Sequence, residues 1–262
     1  MGGLVTLTTD FGARDPYVAA IKGVLLDCCP RLQVVDLTHE IAPQDVLEGA
    51  LFLAGALHYF PAGTVHLVVV DPGVGTERQA VAVAAGGQFI VCPDNGLLTL
   101  FLRRYVVDEA RLISAPAFMR ETVSPTFHGR DVFAPAAARL ACGTALAEAG
   151  PRVDELVMID IPECVREGDR VRGEVVHIDR FGNAISNIDR ASVGDGLVHE
   201  VYVDNYAPAL QLHRTYGSVP AGQALAVFGS ADYLEVAVNR GSAAGTLGIS
   251  VGDRVEVIVA GR

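Results

Sequence analysis

The sequence predicts an α/β protein in which a mostly parallel N-terminal sheet flanked by helices is followed by a smaller C-terminal β-barrel domain. In the first part, strand-like apolar runs alternate with segments of helical periodicity, the order typical of parallel sheets with crossover helices. In the last part, short strands follow one another between Gly, Asn and Asp turns without a helical period, which indicates a barrel or sandwich. We place the two domains at residues 1–165 and 170–262.

The first domain opens with two pairs of a strand and a helix. Apolar runs predict strands at residues 4–9 and 32–35, and helical spacing predicts helices from Tyr17 to Leu26 and from Gln44 to Phe60. Pro43 stands where a helix start is expected. The remaining signals, in chain order, are a hairpin around Gly86-Gly87, a turn at residues 93–96 that opens an apolar run, and a helix from Phe133 to Leu140.

The second domain begins after a polar, turn-rich link at residues 162–168. Its apolar residues occur in short runs bounded by turn residues, which predicts strands rather than helices. The predicted strands are Val171 to Ile178, His199 to Val203, Ala224 to Phe228, Tyr233 to Val238 and Arg254 to Val259.

Charge and hydropathy exclude several classes of partner. The 31 acidic and 20 basic residues give a net charge of −11, which opposes binding to a nucleic acid backbone. The longest apolar stretches fall far short of the roughly 20 residues that span a bilayer, so we expect no membrane segment. The N-terminus lacks the basic and apolar regions of a secretory signal, so we expect a cytoplasmic protein.

Neither the cysteines nor the histidines are spaced like metal ligands. The seven histidines show no i, i+4 ligand pair, and phosphate-loop, dinucleotide-binding and serine-hydrolase motifs are absent. We therefore expect no metal and no cofactor. The cysteines are odd in number and include no Cys-x-x-Cys pair, so we expect free thiols rather than a disulfide framework at Cys28, Cys29, Cys92, Cys142 and Cys164.

Acidic residues follow three of the predicted strands. Asp71 comes directly after the apolar run at residues 68–70, and Asp10 and Asp36 follow the two earlier strands. Because ligands of open parallel sheets bind beyond the carboxyl ends of the strands, Asp71 and Asp10 are candidate site residues. We expect Asp36 to cap a helix or begin a turn instead. His128 is a further candidate, because a proline turn, a glycine and flanking charges expose its ring.

Short motifs occur along the chain in one order, and together they carry a resemblance to a known family. The motifs are Thr8-Thr9-Asp10-Phe11-Gly12 with Asp15, Asp71-Pro72-Gly73-Val74-Gly75 with Arg78, Pro93-Asp94-Asn95-Gly96, Phe127-His128-Gly129-Arg130-Asp131, Asp179-Arg180-Phe181-Gly182-Asn183, and Asn239. From Leu4 to about Val259, this set resembles the S-adenosylmethionine (SAM) hydroxide adenosyltransferases, relatives of the fluorinases and chlorinases. The resemblance implies an α/β domain followed by a β-barrel, and hydrolysis of SAM to adenosine and L-methionine. It also implies homotrimers with sites between one subunit's first domain and a neighbour's second.

The resemblance assigns roles to particular residues. It implies that Asp71, Arg78 and His128 form the polar trio at the nucleophile, and that Asp10 grips the ribose hydroxyls. The contacts that it implies from the second domain are Asp179 and Asn183 with the methionine amino acid group, Ser230 as their partner, and Phe181 and Asn239 in the adenosine and methionine pocket. A simple hairpin turn is the alternative interpretation of Asp179 and Asn183.

Water is a weak nucleophile, so our hypothesis is that His128, or the pair of Asp71 and His128, takes its proton while Arg78 positions the trio. One alternative is a related enzyme that uses chloride. The negative charge of Asp71 argues against a halide nucleophile. The resemblance also argues against it, because the fluorinases have an additional loop before the Asn-Gly turn, and residues 82–92 are too few to contain this loop. Another is a protein that binds SAM or adenosine without turnover, in which the trio is a buried ion network.

Overall fold

A computed structural model of the protein describes residues 3–194 and 198–259, without the side chain of His199. The last residues of the predicted second domain, 260–262, lie outside the described residues. The chain forms two compact units, Met1–Asp160 and Ile161–Arg262.

From residue 3 onward, where its description begins, the first unit contains six strands and four α-helices. The strands are β1 (Leu4–Thr9), β2 (Gln33–Thr38), β3 (Val65–Val69), β4 (Ala80–Ala85), β5 (Gln88–Pro93) and β6 (Val107–Leu112). The helices are α1 (Tyr17–Cys28), α2 (Val46–Ala56), α3 (Thr99–Leu102) and α4 (Ala134–Ala141), with 3₁₀ turns at Leu57–Tyr59, Pro116–Phe118 and Leu146–Ala149 and a π-helical turn at Gly129–Phe133.

The sheet of the first unit has the strand order β2-β1-β3-β5-β4-β6. Strands β2, β1, β3 and β5 run parallel, whereas β4 runs antiparallel to both of its neighbours. The predicted hairpin is the β4–β5 pair, in which Gly86 and Gly87 both adopt a positive φ. The prediction of a mostly parallel sheet flanked by helices is confirmed.

Helices cover both faces of this sheet. Because side chains alternate between the two faces along a strand, neighbouring residues at β3 contact different helices. Leu67 and Val69 belong to the core that includes residues of α1 and α4, whereas Val68 and Val70 belong to the core that includes residues of α2 and α3. Residues 136–138 of α4 are alanines without exposed surface, and their small side chains let this helix lie close to the sheet.

Two sequence predictions at the ends of elements are wrong. Asp36 lies within β2 and neither caps a helix nor begins a turn; Lys22 Nζ donates to its Oδ2 at 2.6 Å. The helix expected from Gln44 begins at Val46. Gln44 has a φ of 68°, outside the helical region, and Asp45 is the N-cap, whose side chain accepts a backbone N–H of the first turn.

A disulfide joins Cys29, directly after α1, to Cys142, directly after α4. The expectation of free thiols is therefore wrong for this pair. The two helices pack against each other, so their ends meet although the cysteines are 113 residues apart in the chain. Cys28, Cys92 and Cys164 are free cysteines.

The described residues of the second unit form a nearly closed, barrel-like sheet of nine strands, which confirms the predicted C-terminal barrel. The strands are β7 (Val165–Glu167), β8 (Arg170–Ile178), β9 (Ala184–Asp189), β10 (Val198–Val203), β11 (Tyr206–Leu210), β12 (Leu212–His213), β13 (Ala224–Phe228), β14 (Tyr233–Val238) and β15 (Arg254–Val259). Short helices, α5 (Arg190–Val193) and α6 (Ala243–Leu247), and a 3₁₀ turn at Tyr216–Ser218 lie between them.

The strand order of the second unit is β11-β10-β15-β8-β9-β14-β13-β12, and β7 pairs with β8. Its pairs are antiparallel apart from β12 with β13. Buried side chains of β8, β9, β14 and β15 form its core. Over the described ranges of both units, no helix has the length and apolar character needed to cross a bilayer.

Candidate active site

The carboxyl ends of β1 and β3 lie side by side in the first unit, where Thr9 is opposite Val69. Asp10 follows β1 directly, and Asp71 comes two residues after β3 ends. Both acids therefore lie beyond the same edge of the parallel sheet, the edge at which ligands of such sheets bind.

Arg78 holds Asp71 in a two-point ion pair. Arg78 Nε donates to Asp71 Oδ1 at 2.9 Å, and Arg78 Nη2 donates to Asp71 Oδ2 at 2.5 Å. The side chains of Arg78 and Asp71 are 10% and 5% exposed, so solvent screens this pair little. The guanidinium carbon also lies 5.2 Å from the centre of the Phe133 ring, in a cation–π contact.

His128 is the third member of this trio. Arg78 Nη2 donates to His128 Nδ1 at 2.7 Å, and because a guanidinium cannot accept a hydrogen bond, the proton of the neutral ring lies on Nε2. Burial and the Arg78 charge lower the pKa of His128 from its ordinary 6.5, which favours the neutral ring. Among the described residues, Arg78 contacts both Asp71 and His128, and no hydrogen bond joins the carboxylate directly to the ring.

Close packing of two loops positions the trio. Gly75 has a φ of 78° and lies against the Pro125 carbonyl, where the Cβ of any other residue would collide with the oxygen. In the loop that carries His128, the buried Asp131 carboxylate accepts the Ser124 N–H at 2.9 Å and the Arg130 Nε–H at 2.7 Å. The chain segments before and after the histidine are thereby tied together, and its ring is half-buried rather than fully exposed.

Asp10 is half-buried and is held by a strained neighbour. Its Oδ2 accepts the backbone N–H of Gln44 at 2.8 Å, and Gln44 adopts the left-handed φ of 68° that is uncommon for residues with a side chain. Burial raises the pKa of Asp10 above 3.8, the Gln44 N–H opposes this shift, and the charge of Asp71 adds to it. No sequence pattern points to Gln44, because its role depends on a backbone torsion and a contact across 34 residues.

Asn95 belongs to the motif at residues 93–96, but the sequence alone suggests no role for its side chain. Its Nδ2 donates to the Val70 carbonyl at 2.9 Å. Val70 has no exposed surface and lies between the end of β3 and Asp71. Asn95 therefore anchors the backbone from which the Asp71 side chain projects.

Asp179 and Asn183 form the turn between β8 and β9 in the second unit. Asp179 Oδ1 accepts the N–H groups of Phe181 and Asn183 at 2.9 and 2.8 Å, and Oδ2 accepts from Asn183 Nδ2 at 2.9 Å. The left-handed residue of this turn is Gly182, with a φ of 84°. Phe181 is 76% exposed at the tip, an unusually large apolar surface for a turn residue.

Ser230 and Asn239 lie at opposite ends of β14. Ser230 is exposed in the turn between β13 and β14. Asn239 Nδ2 donates to the Val219 carbonyl at 2.6 Å, which ties this side chain to the chain before β13. Because Val236 is opposite Ala184 in the β14–β9 pair, Asn239 lies at the same end of the sheet as the β8–β9 turn.

The described residues contain no group of three or more His, Cys, Asp or Glu side chains that could hold a metal ion. The first unit instead brings together two carboxylates, a guanidinium and an imidazole. Such a set can bind a diol, orient a water molecule and accept its proton.

Sequence comparison identifies the family. Residues 5–150 match the SAM hydroxide adenosyltransferase N-terminal domain, and residues 173–256 match the C-terminal domain of the same family. The chain belongs to the SAM hydroxide adenosyltransferase family. The two matches fall on the two compact units, so both units are shared with the other SAM hydroxide adenosyltransferases.

Three named relatives are similar over nearly the whole chain. The (R)-S-adenosyl-L-methionine hydrolase of Thermus thermophilus is 45% identical over 97% of this chain and 99% of its own length. The hydrolase of the same name from Salinispora tropica is 44% identical over 97% of both chains. A fluorinase of Nocardia brasiliensis is more distant, at 33% identity over 98% of this chain and 97% of its own.

Two solved structures have the same fold. A conserved protein of Thermotoga maritima superimposes with a TM-score of 0.91 at 35% identity, covering 97% of this chain and 99% of its own. A conserved protein of Thermus thermophilus gives a TM-score of 0.80 at 42% identity, covering 98% and 100%.

Proposed function

We propose that this SAM hydroxide adenosyltransferase hydrolyses S-adenosyl-L-methionine to adenosine and L-methionine by in-line attack of water on C5′. The observation that carries the proposal is the trio of Asp71, Arg78 and His128 beside Asp10, at the ligand-binding edge of the sheet. The hydrolases named above supply independent support, because they share both units with this chain.

The reaction makes one bond and breaks one bond. The oxygen of water bonds to C5′ while the C5′–S⁺ bond breaks, and the electron pair of that bond remains on sulfur as neutral methionine thioether. The leaving group needs no proton, so acid–base work concerns the nucleophile alone. A water held in line at about 3 Å and relieved of a proton satisfies this requirement.

We propose a different task for each member of the trio. Asp71 is the proton acceptor, because a carboxylate retains free lone pairs after binding Arg78 at two points. His128 uses Nδ1 as an acceptor for Arg78, so its Nε2–H is a donor that orients the attacking oxygen. Arg78 positions both groups and stabilises negative charge on the oxygen. The sequence left two acceptors open, His128 alone or the pair of Asp71 and His128, and this proposal gives the proton to the Asp71 carboxylate of that pair.

Asp10 is the proposed ribose ligand. A carboxylate can accept one hydrogen bond from each hydroxyl of a vicinal diol, and each charge-assisted bond contributes about 1.5–3 kcal/mol. The Gln44 N–H occupies Oδ2 at 2.8 Å and orients the carboxylate before substrate arrives.

A carboxylate at the nucleophile position disfavours a halide. Chloride placed next to Asp71 would meet a like charge in a site with little solvent, whereas water would meet an acceptor. We therefore propose water as the nucleophile, although fluorinases are among the relatives.

The amino acid end of the substrate is assigned to the second unit, to Asp179, Asn183 and Ser230, with Phe181 and Asn239 in the adjoining pocket. We propose a homotrimer in which the first unit of one subunit and the second unit of a neighbour supply the two halves of each site. The proposed enzyme acts in the cytoplasm and needs no cofactor. The family resemblance and the 76% exposed Phe181 support this assembly.

The names of the relatives point to one stereoisomer of the substrate. The Thermus and Salinispora proteins are (R)-S-adenosyl-L-methionine hydrolases, and because L already defines the α-carbon, R denotes the sulfonium centre. We propose the same epimer as the preferred substrate here.

Product analysis tests the proposal. The purified protein is incubated separately with the R and S sulfonium epimers, with and without chloride, and the nucleosides are separated by chromatography. We expect adenosine and methionine in equal amounts, faster from the R epimer, and no 5′-chloronucleoside.

Asp71→Asn should lower the rate of this hydrolysis by at least about 10²-fold, because a positioned general base contributes about this much. The control is Asp108→Asn, an exposed acid of β6. Full turnover by both Asp71→Asn and His128→Ala would contradict the assignment.

A further inference from the structure

His39 lies directly after β2, at the start of the segment that leads to Gln44 and α2. Its side chain is only 11% exposed, and both ring nitrogens face polar groups. Nδ1 lies 2.9 Å from Thr9 Oγ1, and Nε2 lies 3.1 Å from Asp36 Oδ1. Nε2 has no other hydrogen-bond partner among the described residues. The ring therefore joins the last residue of β1 to the carboxylate of β2.

The Asp36 carboxylate connects this ring to the protein surface. Lys22 Nζ of α1 donates to Asp36 Oδ2 at 2.6 Å, and the side chains of this pair are 36% and 41% exposed. Burial raises the pKa of Asp36, but the hydrogen bonds from Lys22 and His39 outweigh it and lower the pKa below 3.8. The group next to His39 Nε2 is therefore a carboxylate anion at neutral pH.

The contacts of the His39 ring have a direction. A carboxylate only accepts hydrogen bonds, so the proton of the neutral ring lies on Nε2, toward Asp36, and Nδ1 is an acceptor. The Thr9 hydroxyl then donates to Nδ1, and its oxygen keeps a lone pair that accepts the Phe11 backbone N–H at 3.3 Å. Thr9 is completely buried, so water does not compete for these contacts.

The same contacts enclose Asp10. Thr9 directly precedes Asp10, and two residues after Asp10 the Gly12 N–H donates to the His39 carbonyl at 2.7 Å. At the far end of the segment that begins with His39, the Gln44 N–H donates to Asp10 Oδ2 at 2.8 Å. His39 therefore holds the chain on both sides of Asp10, whereas Gln44 holds the carboxylate itself.

We propose that His39 is a positioning residue that sets the Asp10 carboxylate for the two ribose hydroxyls, and that its ring acts through Thr9 with Asp36 as its support. The inference rests on the proposed function, because that function assigns Asp10 to the ribose. The contact between Gly12 and the His39 carbonyl survives a change of side chain, so the ring contributes through Thr9. Without the ring, the Thr9 hydroxyl loses its acceptor and the backbone that carries Asp10 loses a fixed direction.

Two nucleosides separate this effect from turnover. Adenosine has both ribose hydroxyls, and 2′,3′-dideoxyadenosine differs from it by their absence alone. Affinities of both are measured by calorimetry for the wild-type protein, His39→Ala, His39→Asn and Asp36→Ala. His58→Ala is the matched control, because His58 is an exposed histidine of the same unit.

We expect the wild-type protein to prefer adenosine and His39→Ala to lose at least about fivefold of that preference, equivalent to about 1 kcal/mol. Affinity for the dideoxynucleoside should stay within about twofold. His39→Asn should keep most of the preference, because its side-chain oxygen can accept the Thr9 hydroxyl near the position of Nδ1. Asp36→Ala should lose about twofold or more, and His58→Ala should lose nothing. With SAM, His39→Ala should raise KM and leave kcat within about twofold.

Equal weakening of both nucleosides by His39→Ala would show a general structural role and overturn the proposal. An unchanged preference in His39→Ala, or no preference in the wild-type protein, would also overturn it. If His39→Ala does not fold, Asp36→Ala decides, because its side chain is 41% exposed and its loss removes little packing; an unchanged preference there would overturn the proposal. Failure of the proposed function is separate: the wild-type protein would show the preference for the diol but release no adenosine from SAM.

Discussion

Arg78 is the residue on which the candidate active site depends most. Its Nε and Nη2 donate to both oxygens of Asp71, and Nη2 also donates to His128 Nδ1 at 2.7 Å. The same guanidinium therefore orients the proton acceptor and selects the tautomer of the histidine. Lysine, with its compact charge, could not reproduce this planar two-sided arrangement.

The lowered pKa of His128 leads to a pH prediction. Because its folded-state pKa lies below the ordinary 6.5, the ring stays neutral as the pH falls through 6.5 and becomes charged at lower pH, next to Arg78. Protonation breaks the Nδ1 contact, so kcat/KM should fall on the acid side with a midpoint below 6.5. His128→Asn should lower the overall rate and remove this limb of the pH profile. A midpoint above 6.5, or the same limb in the variant, would count against the assignment.

At the scale of elements, the site depends on where strands end. β3 ends at Val69, and the Val70 carbonyl beyond it is bound by Asn95 Nδ2 at 2.9 Å. In the same turn, Asp94 Oδ1 accepts the Val157 N–H at 2.9 Å. The turn after β5 thereby fixes the backbone after β3, its parallel neighbour, and sets the direction of the Asp71 side chain.

Asn95→Ala tests this positioning role. The substitution leaves a buried carbonyl without its donor, at a cost of about 1–3 kcal/mol, and lets Asp71 move. We expect kcat to fall by about tenfold or more, while KM for SAM stays within about threefold because the ribose and amino acid contacts remain. Asn205→Gly, in an exposed turn of the second unit with a φ of 65°, is the control. Wild-type kcat in Asn95→Ala would contradict the role.

Most elements of this fold are predictable from local sequence, and the exceptions have physical reasons. The strands β13, β14 and β15 have the predicted bounds, because their apolar runs stop at clear turn residues. β9 was not predicted, because Ser, Asn and Asp occupy half of its positions. β11 was not predicted, because it contains a proline. Contacts between distant residues, such as Gln44 with Asp10 or Tyr216 with Glu235, arise from tertiary packing and leave no local pattern.

At the scale of the whole molecule, one covalent link constrains the first unit. The disulfide between Cys29 and Cys142 closes a loop over a sequence separation of 113 residues, which includes β2 to β6 and most of the candidate active site. Sequence spacing did not predict it, because the pairing depends on α1 packing against α4.

Removing this link should destabilise the protein without changing its fold. Cys29→Ser or Cys142→Ser, or reduction of the wild-type disulfide, should lower the free energy of unfolding by about 2–4 kcal/mol in urea titrations. Cys28→Ser, at an exposed free cysteine beside the pair, should have no such effect. Equal stability with and without reductant in the wild-type protein would show that the disulfide contributes nothing.

The motifs that carry the family resemblance are spread from the first strand to the last strands, and both units match the same family. The central claim for the whole molecule is therefore that water is the nucleophile and C5′ is the carbon attacked. Incubation with SAM in ¹⁸O-water, followed by mass spectrometry of the nucleoside, tests it most directly. The proposed reaction predicts adenosine with one ¹⁸O atom in its 5′-hydroxyl group and unlabelled methionine. Unlabelled adenosine, a halogenated nucleoside in the presence of chloride, or intact SAM after prolonged incubation would contradict it.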